Sequence, residues 1–173
     1  MPHETPAESA KLNHEMRAFR DTRRSVVLAT TDSEGLPDAS YAPCLEDAEG
    51  HVYIFVSGLA RHTRNLLTIG RVSVLFIEDE GETANVFALR RLTLDCSAEP
   101  IPRDHPDWVG VLDGLAERQG KLVETLRGLA DFQLFRLTPR SATYVRGLGQ
   151  TFRFEGEGLK QVAMAKPERA LLK

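Results

Sequence analysis

Between Glu49 and Glu78 the chain carries no acidic residue. In the middle of that stretch, Ser57-Gly58-Leu59-Ala60-Arg61-His62-Thr63-Arg64-Asn65 gathers two arginines, a histidine, two hydroxyls and an amide. A strand-like run, His51-Val52-Tyr53-Ile54-Phe55-Val56, precedes it. A helical pattern over residues 61–69 follows, closed by Gly70. The start of a helix exposes unpaired backbone N–H groups and the positive end of the helix dipole. Gly58 lets the backbone turn closely. Arginine adds a bidentate clamp and the hydroxyls add neutral donors, which together describe a phosphate site. A buried strand followed by a solvated Arg-x-x-Arg helix face writes the same letters, so both interpretations stand at this point.

Other chemistries find less support. Gly-x-x-x-x-Gly-Lys is absent, and Gly147-Leu148-Gly149 lacks a third glycine in register, so neither a P-loop nor a dinucleotide fingerprint is present. No Ser-His-Asp or Cys-His arrangement suggests a hydrolase, and no catalytic residue is assigned. Glu78-Asp79-Glu80 reads as a solvated turn. Cys44 and Cys96 stand far apart, with no cluster of Cys or His that would make a zinc site. No metal site is expected; two reduced thiols are, with a disulfide left open.

The elements that would position the phosphate segment are mostly strands. The 173 residues, 42% hydrophobic and 27% charged, suit one soluble globular domain, and a net charge of -3 argues against a nucleic-acid partner. With no basic-then-apolar leader and no apolar run of about 20 residues, no membrane span is expected and a cytoplasmic location is. Residues 1–4 read as a loose end. Thr5-Pro6-Ala7-Glu8 reads as a capped helix start, the helix running to residues 19–22 with Leu12, Met16 and Phe19 on one face. Strand patterns follow at residues 25–31, 38–45, 51–56, 71–77, 87–101, 131–137 and 142–146, the last two split by Thr138-Pro139. Helices are expected after Asp104, carrying Trp108, Val111 and Leu112, with Gly120 as a weak point. Short turns between strands predict a mainly antiparallel sheet, a barrel or sandwich with helical additions. The expected layout is an N-terminal helix (1–22), a barrel (23–155) and an amphipathic tail (156–173) of open structure: a helix, an arm over a partner, or disordered.

From residue 23 to 154 the chain resembles the pyridoxamine-phosphate-oxidase-like flavoprotein superfamily, and in detail its HugZ/HutZ-type heme-utilisation branch. The resemblance is carried by Gly35-Leu36-Pro37-Asp38-Ala39-Ser40-Tyr41-Ala42-Pro43, by Ser57 to Leu66, by Arg71-Val72-Ser73-Val74-Leu75, by Arg90-Arg91-Leu92-Thr93, by Asp131 to Leu137 and by Tyr144 to Gln150. It implies an α+β fold, a six- to seven-stranded antiparallel split β-barrel with flanking helices. It also implies a homodimer with two FMN sites at the subunit interface. Ser57, Arg61, His62 and Thr63 would hold the phosphate and ribityl chain. Ser40, Tyr41, Ala42 and Pro43 would lie along the isoalloxazine ring. Asn65 is either a flavin contact or a helix-stabilising residue. Arg91 would reach flavin or substrate.

Two departures bear on activity. Pyridoxamine-phosphate oxidases end in an Arg-x-His substrate element; here the region reads Arg146-Gly147-Leu148-Gly149-Gln150-Thr151-Phe152-Arg153, with Arg153 still able to meet an anionic ligand. The heme-utilisation branch supplies a C-terminal histidine to iron, and no histidine follows His105. The expectation is therefore an FMN-dependent oxidoreductase of unidentified small-molecule substrate. The alternatives are a heme-binding or heme-degrading protein and a flavin-binding barrel without turnover.

Overall fold

The computed structural model describes residues 6–165. The expected loose end, the Thr5 cap and the tail beyond residue 165 lie outside the described residues. Helix α1 (Pro6–Asp21) buries Leu12, Met16 and Phe19, the face expected from their spacing. Eight strands follow: β1 (Ser25–Thr31), β2 (Pro37–Glu46), β3 (Val52–Ser57), β4 (Arg71–Ile77), β5 (Arg91–Ile101), β6 (Phe132–Gly147), β7 (Gln150–Glu155) and β8 (Gln161–Met164). Helix α2 (Arg61–Ile69) joins β3 to β4. Helices α3 (Asp107–Gln119) and α4 (Leu122–Arg127) join β5 to β6.

Every pairing is antiparallel, in the order β3-β2-β1-β4-β5-β6-β7-β8. An additional β3–β6 pairing closes the first six strands into a barrel. Closure depends on the length of β6. Its first half pairs with β3, from Phe132 opposite Ser57 to Leu137 opposite Val52, while its second half pairs with β7. The expected break at Thr138-Pro139 is therefore one continuous strand. Proline cannot donate to a ladder, and here Pro139 sits opposite Cys96 where the β5–β6 register shifts, a bulge that accommodates it. The expected strand from residue 87 starts later, because Val86–Ala88 forms a 3-10 turn capped by the Asn85 side chain. In the expected tail, Gln161–Met164 forms β8 against β7.

Burial explains the composition of β3. Val52, Ile54 and Val56 face the barrel core beneath α1, while Tyr53 and Phe55 face outward into a second core with Trp108, Leu112 and Leu115 of α3. A strand covered on both faces reads as a continuous apolar run rather than an alternation. Phe55 meets Trp108 edge-on at 5.9 Å, a geometry worth about 1 kcal/mol beyond area burial. Gly120, with φ of 99°, separates α3 from α4 as its type predicts.

Candidate functional site

Helix α2 begins where β3 ends. Its last turn closes on Gly70, whose φ of 67° is left-handed and whose N–H bonds the Leu66 carbonyl. Its N-cap residue, Ala60, offers no side-chain cap, so the first-turn N–H groups of α2 are left for a ligand or water. The strand leading into a helix start, expected from the sequence, is present.

The acid-free stretch of sequence is not acid-free in space. The Ser57 hydroxyl donates to Asp131 Oδ2 at 2.8 Å and accepts the Leu59 N–H at 3.2 Å. Gly58 N donates to the Asp131 carbonyl at 2.7 Å. A Cβ on Gly58 would lie 2.9 Å from that carbonyl oxygen, so glycine is required by the close approach of the two chain segments. Arg61 is more than half exposed, and its guanidinium stands 3.7 Å from Asp38 Oδ1, a loose pair worth at most about 1 kcal/mol. Two carboxylates thus border the segment, and each already engages one of the groups expected to hold phosphate.

The other expected contacts divide by direction. Thr63 is fully buried, and its hydroxyl donates to the Ser57 carbonyl. Asn65 is buried and donates from Nδ2 to Thr30 Oγ1 at 2.9 Å, which fastens α2 to β1. These two serve the local fold. On β2, Ala42 is buried and Ser40 turns inward with it, whereas Tyr41 and Pro43 turn outward. Ser40 Oγ and His62 Nε2 are both buried without a hydrogen-bond partner. Burial holds the His62 pKa below its ordinary value against the opposing pull of Asp38, so the imidazole is neutral at pH 7. Arg91 opens β5 and gives one N–H to the Leu89 carbonyl at 3.1 Å. Ser57 pairs with Phe132, beside the far end of β5, where Ile101 pairs with Leu134. Ten residue rises of about 3.3 Å separate the two ends of that strand, so one chain does not bring Arg91 to the Ser57 segment.

Among the described residues, one group of potential metal ligands has its donor atoms within 4.8 Å of one another: Asp47, Glu49 and His51. Its central carboxylate is already committed. Asp47 accepts from His51 N at 2.8 Å, faces His51 Nδ1 at 2.7 Å and accepts from Tyr53 OH at 3.0 Å. Burial pushes the Asp47 carboxyl up, but those hydrogen bonds outweigh it and hold it below the ordinary range. These bonds of Asp47 to His51 and Tyr53 fasten the β2–β3 turn. Cys44 and Cys96 are both buried and unpaired, with thiols pushed up to about 12 chiefly by burial. No helix among the described residues is long and apolar enough to cross a membrane.

Sequence reasoning overlooked Asp131. It lies 74 positions from Ser57, and only the β3–β6 pairing brings them together. The lone signal was its place at the head of the run Asp131 to Leu137.

Comparison with known proteins agrees with this architecture. The family described as pyridoxamine 5'-phosphate oxidase matches residues 12–146. The heme oxygenase HutZ of Vibrio cholerae serotype O1 is 40% identical over 149 residues, covering 86% of this chain and 84% of that protein. The non-canonical chloroplastic heme oxygenase HOZ of Arabidopsis thaliana is 29% identical over 128 residues, covering 74% of this chain but 37% of that protein. Among solved structures, HutZ from Vibrio cholerae, described as a heme storage protein, superposes with a TM-score of 0.69 at 42% identity over 73% of this chain and 88% of that one. ChuZ from Campylobacter jejuni superposes with a TM-score of 0.81 at 26% identity over 96% of this chain and 70% of that one. The closed antiparallel barrel and these matches together establish that the chain belongs to the pyridoxamine 5'-phosphate oxidase family of split barrels, in its HugZ/HutZ-type heme-utilisation branch.

Proposed function

We propose that this chain binds heme and takes part in heme breakdown, the activity for which its relative HutZ is named. The observation that carries this reading is the 40% identity to that heme oxygenase across 86% of the chain. It displaces FMN-dependent oxidation as the leading function. FMN is kept as a second reading because of the free N–H groups at the start of α2 and the adjacent Arg61. Against it stand Asp38 and Asp131, which a flavin phosphate would have to displace from Arg61 and Ser57.

The protein groups fit one part of a heme better than another. Exposed apolar residues on the outer barrel face, Tyr41 and Ile77 among them, suit a porphyrin body. Iron asks for imidazole, thiolate or thioether, and no described strand carries a histidine. Both cysteines are protonated and buried. When bound, the group would supply the redox centre, and the chain would orient it and shield it from water.

We also propose that two copies associate through the outer face, where Tyr41 is 63% exposed and Ile77 is 40% exposed. Association across a two-fold axis is the way an Arg91 and a Ser57 segment held apart in one chain could meet. The unpaired thiols accord with a reducing compartment such as the cytoplasm.

The test is an absorption titration of the purified chain with hemin and, separately, with FMN. The expected result is a Soret shift that saturates at micromolar hemin, with loss of that band when a reductant and oxygen are added. A titration that stays linear in free hemin would refute heme binding. A Soret shift without turnover would reduce the function to binding alone. Sedimentation at micromolar protein tests the dimer, and a monomer would refute it.

A further inference from the structure

Beside the β2–β3 turn lies a cleft of about 110 Å³. Four parts of the chain wall it: the last turns of α1, the turn at Gly50 and His51, the β6 bulge at Thr138-Pro139, and the turn at Gly158-Leu159 after β7. Met16 and Leu159 are buried and seal it against the barrel core. Its space matches about three or four waters. That is well below the roughly 300 Å³ at which pockets for drug-sized ligands begin. The cleft lies at the end of β3 away from Ser57, about 20 Å along the strand.

Two guanidiniums converge on this space. Positions 17 and 20 are neighbours on the surface of α1, one turn apart. Arg17 Nη1 donates to the Ala48 carbonyl at 2.9 Å, and Arg20 Nη2 donates to the Gly50 carbonyl at 3.0 Å. Carbonyl bonds fix the two forks in place but leave their charge. A Cβ on Gly50 would stand 3.7 Å from Arg20 Nη1 and 3.8 Å from Arg17 Nη2, so the remaining ends of both forks gather around one point. Neither of those nitrogens makes a hydrogen bond among the described residues, and Arg20 Nε is buried without a partner. Arg20 shares its charge with Glu46, whereas Arg17 makes no ion pair among the described residues. Lys160 brings a third cation to the Gly158 wall, its Cε 3.4 Å from the place of a Gly158 Cβ. Half-buried Thr138 adds a hydroxyl from β6. Of the acids nearby, Asp47 is taken by His51 and Tyr53, and Glu49 on the wall is exposed, so that water and salt screen it.

Like charges gathered at one point repel, and an anion between them turns that repulsion into attraction. We propose that this cleft binds a small tetrahedral oxyanion of the phosphate class, held by Arg17, Arg20 and Thr138. Donors that reach the space from α1 on one side and β6 on the other suit a tetrahedral anion, whereas one guanidinium fork satisfies a planar carboxylate. The bound anion links α1 to the β2–β3 turn and the β6 bulge, so its binding free energy adds to the stability of the fold. The site is independent of the heme reading.

The experiment follows the urea midpoint of the full chain at pH 7 as inorganic phosphate replaces chloride at constant ionic strength. The expected result is a rise that saturates, with half its effect at about 1 mM. Sulfate should match phosphate within about threefold, and acetate should bind at least tenfold more weakly. Arg17→Gln should weaken phosphate about tenfold, and Thr138→Val about threefold. Glu49→Gln should tighten it about threefold, a gain that a poorly folded variant could not produce. A rise that stays linear would show only exclusion of the anion from the protein surface and would overturn the site. An unchanged response in both Arg17→Gln and Glu49→Gln would place the bound phosphate elsewhere and also overturn it. Acetate as tight as phosphate would overturn the tetrahedral class.

Discussion

Replacing Arg20 with Met should destabilise the protein by an amount that depends on pH. Arg20 is 1% exposed at the end of α1. Its Nη2 donates to the Gly50 carbonyl at 3.0 Å and lies 2.7 Å from Glu46 Oε2, and its guanidinium stacks 5.4 Å from the Phe76 ring centroid. Burial pushes the Glu46 carboxyl up to about 7; Arg20 pulls it down and Asp21 pushes it further up. An acid whose folded pKa is raised holds its proton longer in the folded state. The contribution of Glu46 to stability therefore falls as pH rises from the ordinary 4.5 toward about 7, by about 3 kcal/mol in all, and is flat above. Without Arg20 the folded pKa of Glu46 moves higher, and the fall continues at about 1.4 kcal/mol per pH unit beyond 7. At pH 5.5 Glu46 is protonated in the folded state. Arg20→Met then costs the Gly50 hydrogen bond and the ring contact, about 2–3 kcal/mol, since Met keeps most of the packing. At pH 8.5 another 2 kcal/mol or so is added, which brings the total to about 4–5 kcal/mol, in the range for breaking a buried ion pair. Urea unfolding of both proteins at the two pH values measures this. A gap between wild type and Arg20→Met that is equal at pH 5.5 and 8.5 would mean that Arg20 does not hold the Glu46 charge. With Glu46→Gln present in both proteins, the gap should lose its pH dependence.

Gly58→Ala should cost about 1–3 kcal/mol in urea unfolding, because its Cβ would press within 2.9 Å of the Asp131 carbonyl oxygen; an unchanged midpoint would show that the segments part freely. Asp131→Asn removes a carboxylate from the start of α2, so FMN affinity, measured by flavin fluorescence quenching, should rise by about threefold or more, and no rise would mean that the acid does not oppose a phosphate there. Cys44 and Cys96, with thiols near 12, should resist a disulfide reagent at pH 8 in the native protein and react fully on unfolding; rapid native labelling would contradict their burial.

Much of the fold was legible because local patterns carry it. Leu12, Met16 and Phe19 recur at helical spacing, and the structure buries all three. Gly70 closes α2 where a left-handed residue is needed. The alternation of Leu92, Leu94 and Cys96 with Arg91, Thr93 and Asp95 separates the inner from the outer face of β5. The break expected at Thr138-Pro139 shows where local rules stop. Proline is a strong local signal, but a partner strand with a register shift absorbed it, and β6 runs through. Gln161–Met164 was ambiguous for a related reason: four residues hold too little pattern, and only pairing with β7 makes them a strand.

The candidate site divides along the same line. The sequence by itself determined the helix start, its cations and its hydroxyls at residues 57–65, since these follow from neighbours along the chain. It also placed the chain in its family through runs of residues in order. Only the tertiary structure decided what surrounds that segment. Barrel closure sets Asp131 against Ser57, and the β1–β2 hairpin sets Asp38 toward Arg61. The physical reason is that charge acts through space. An acid-free stretch of sequence constrains only its own side chains, whereas the field at its helix terminus is set by whatever the barrel folds beside it.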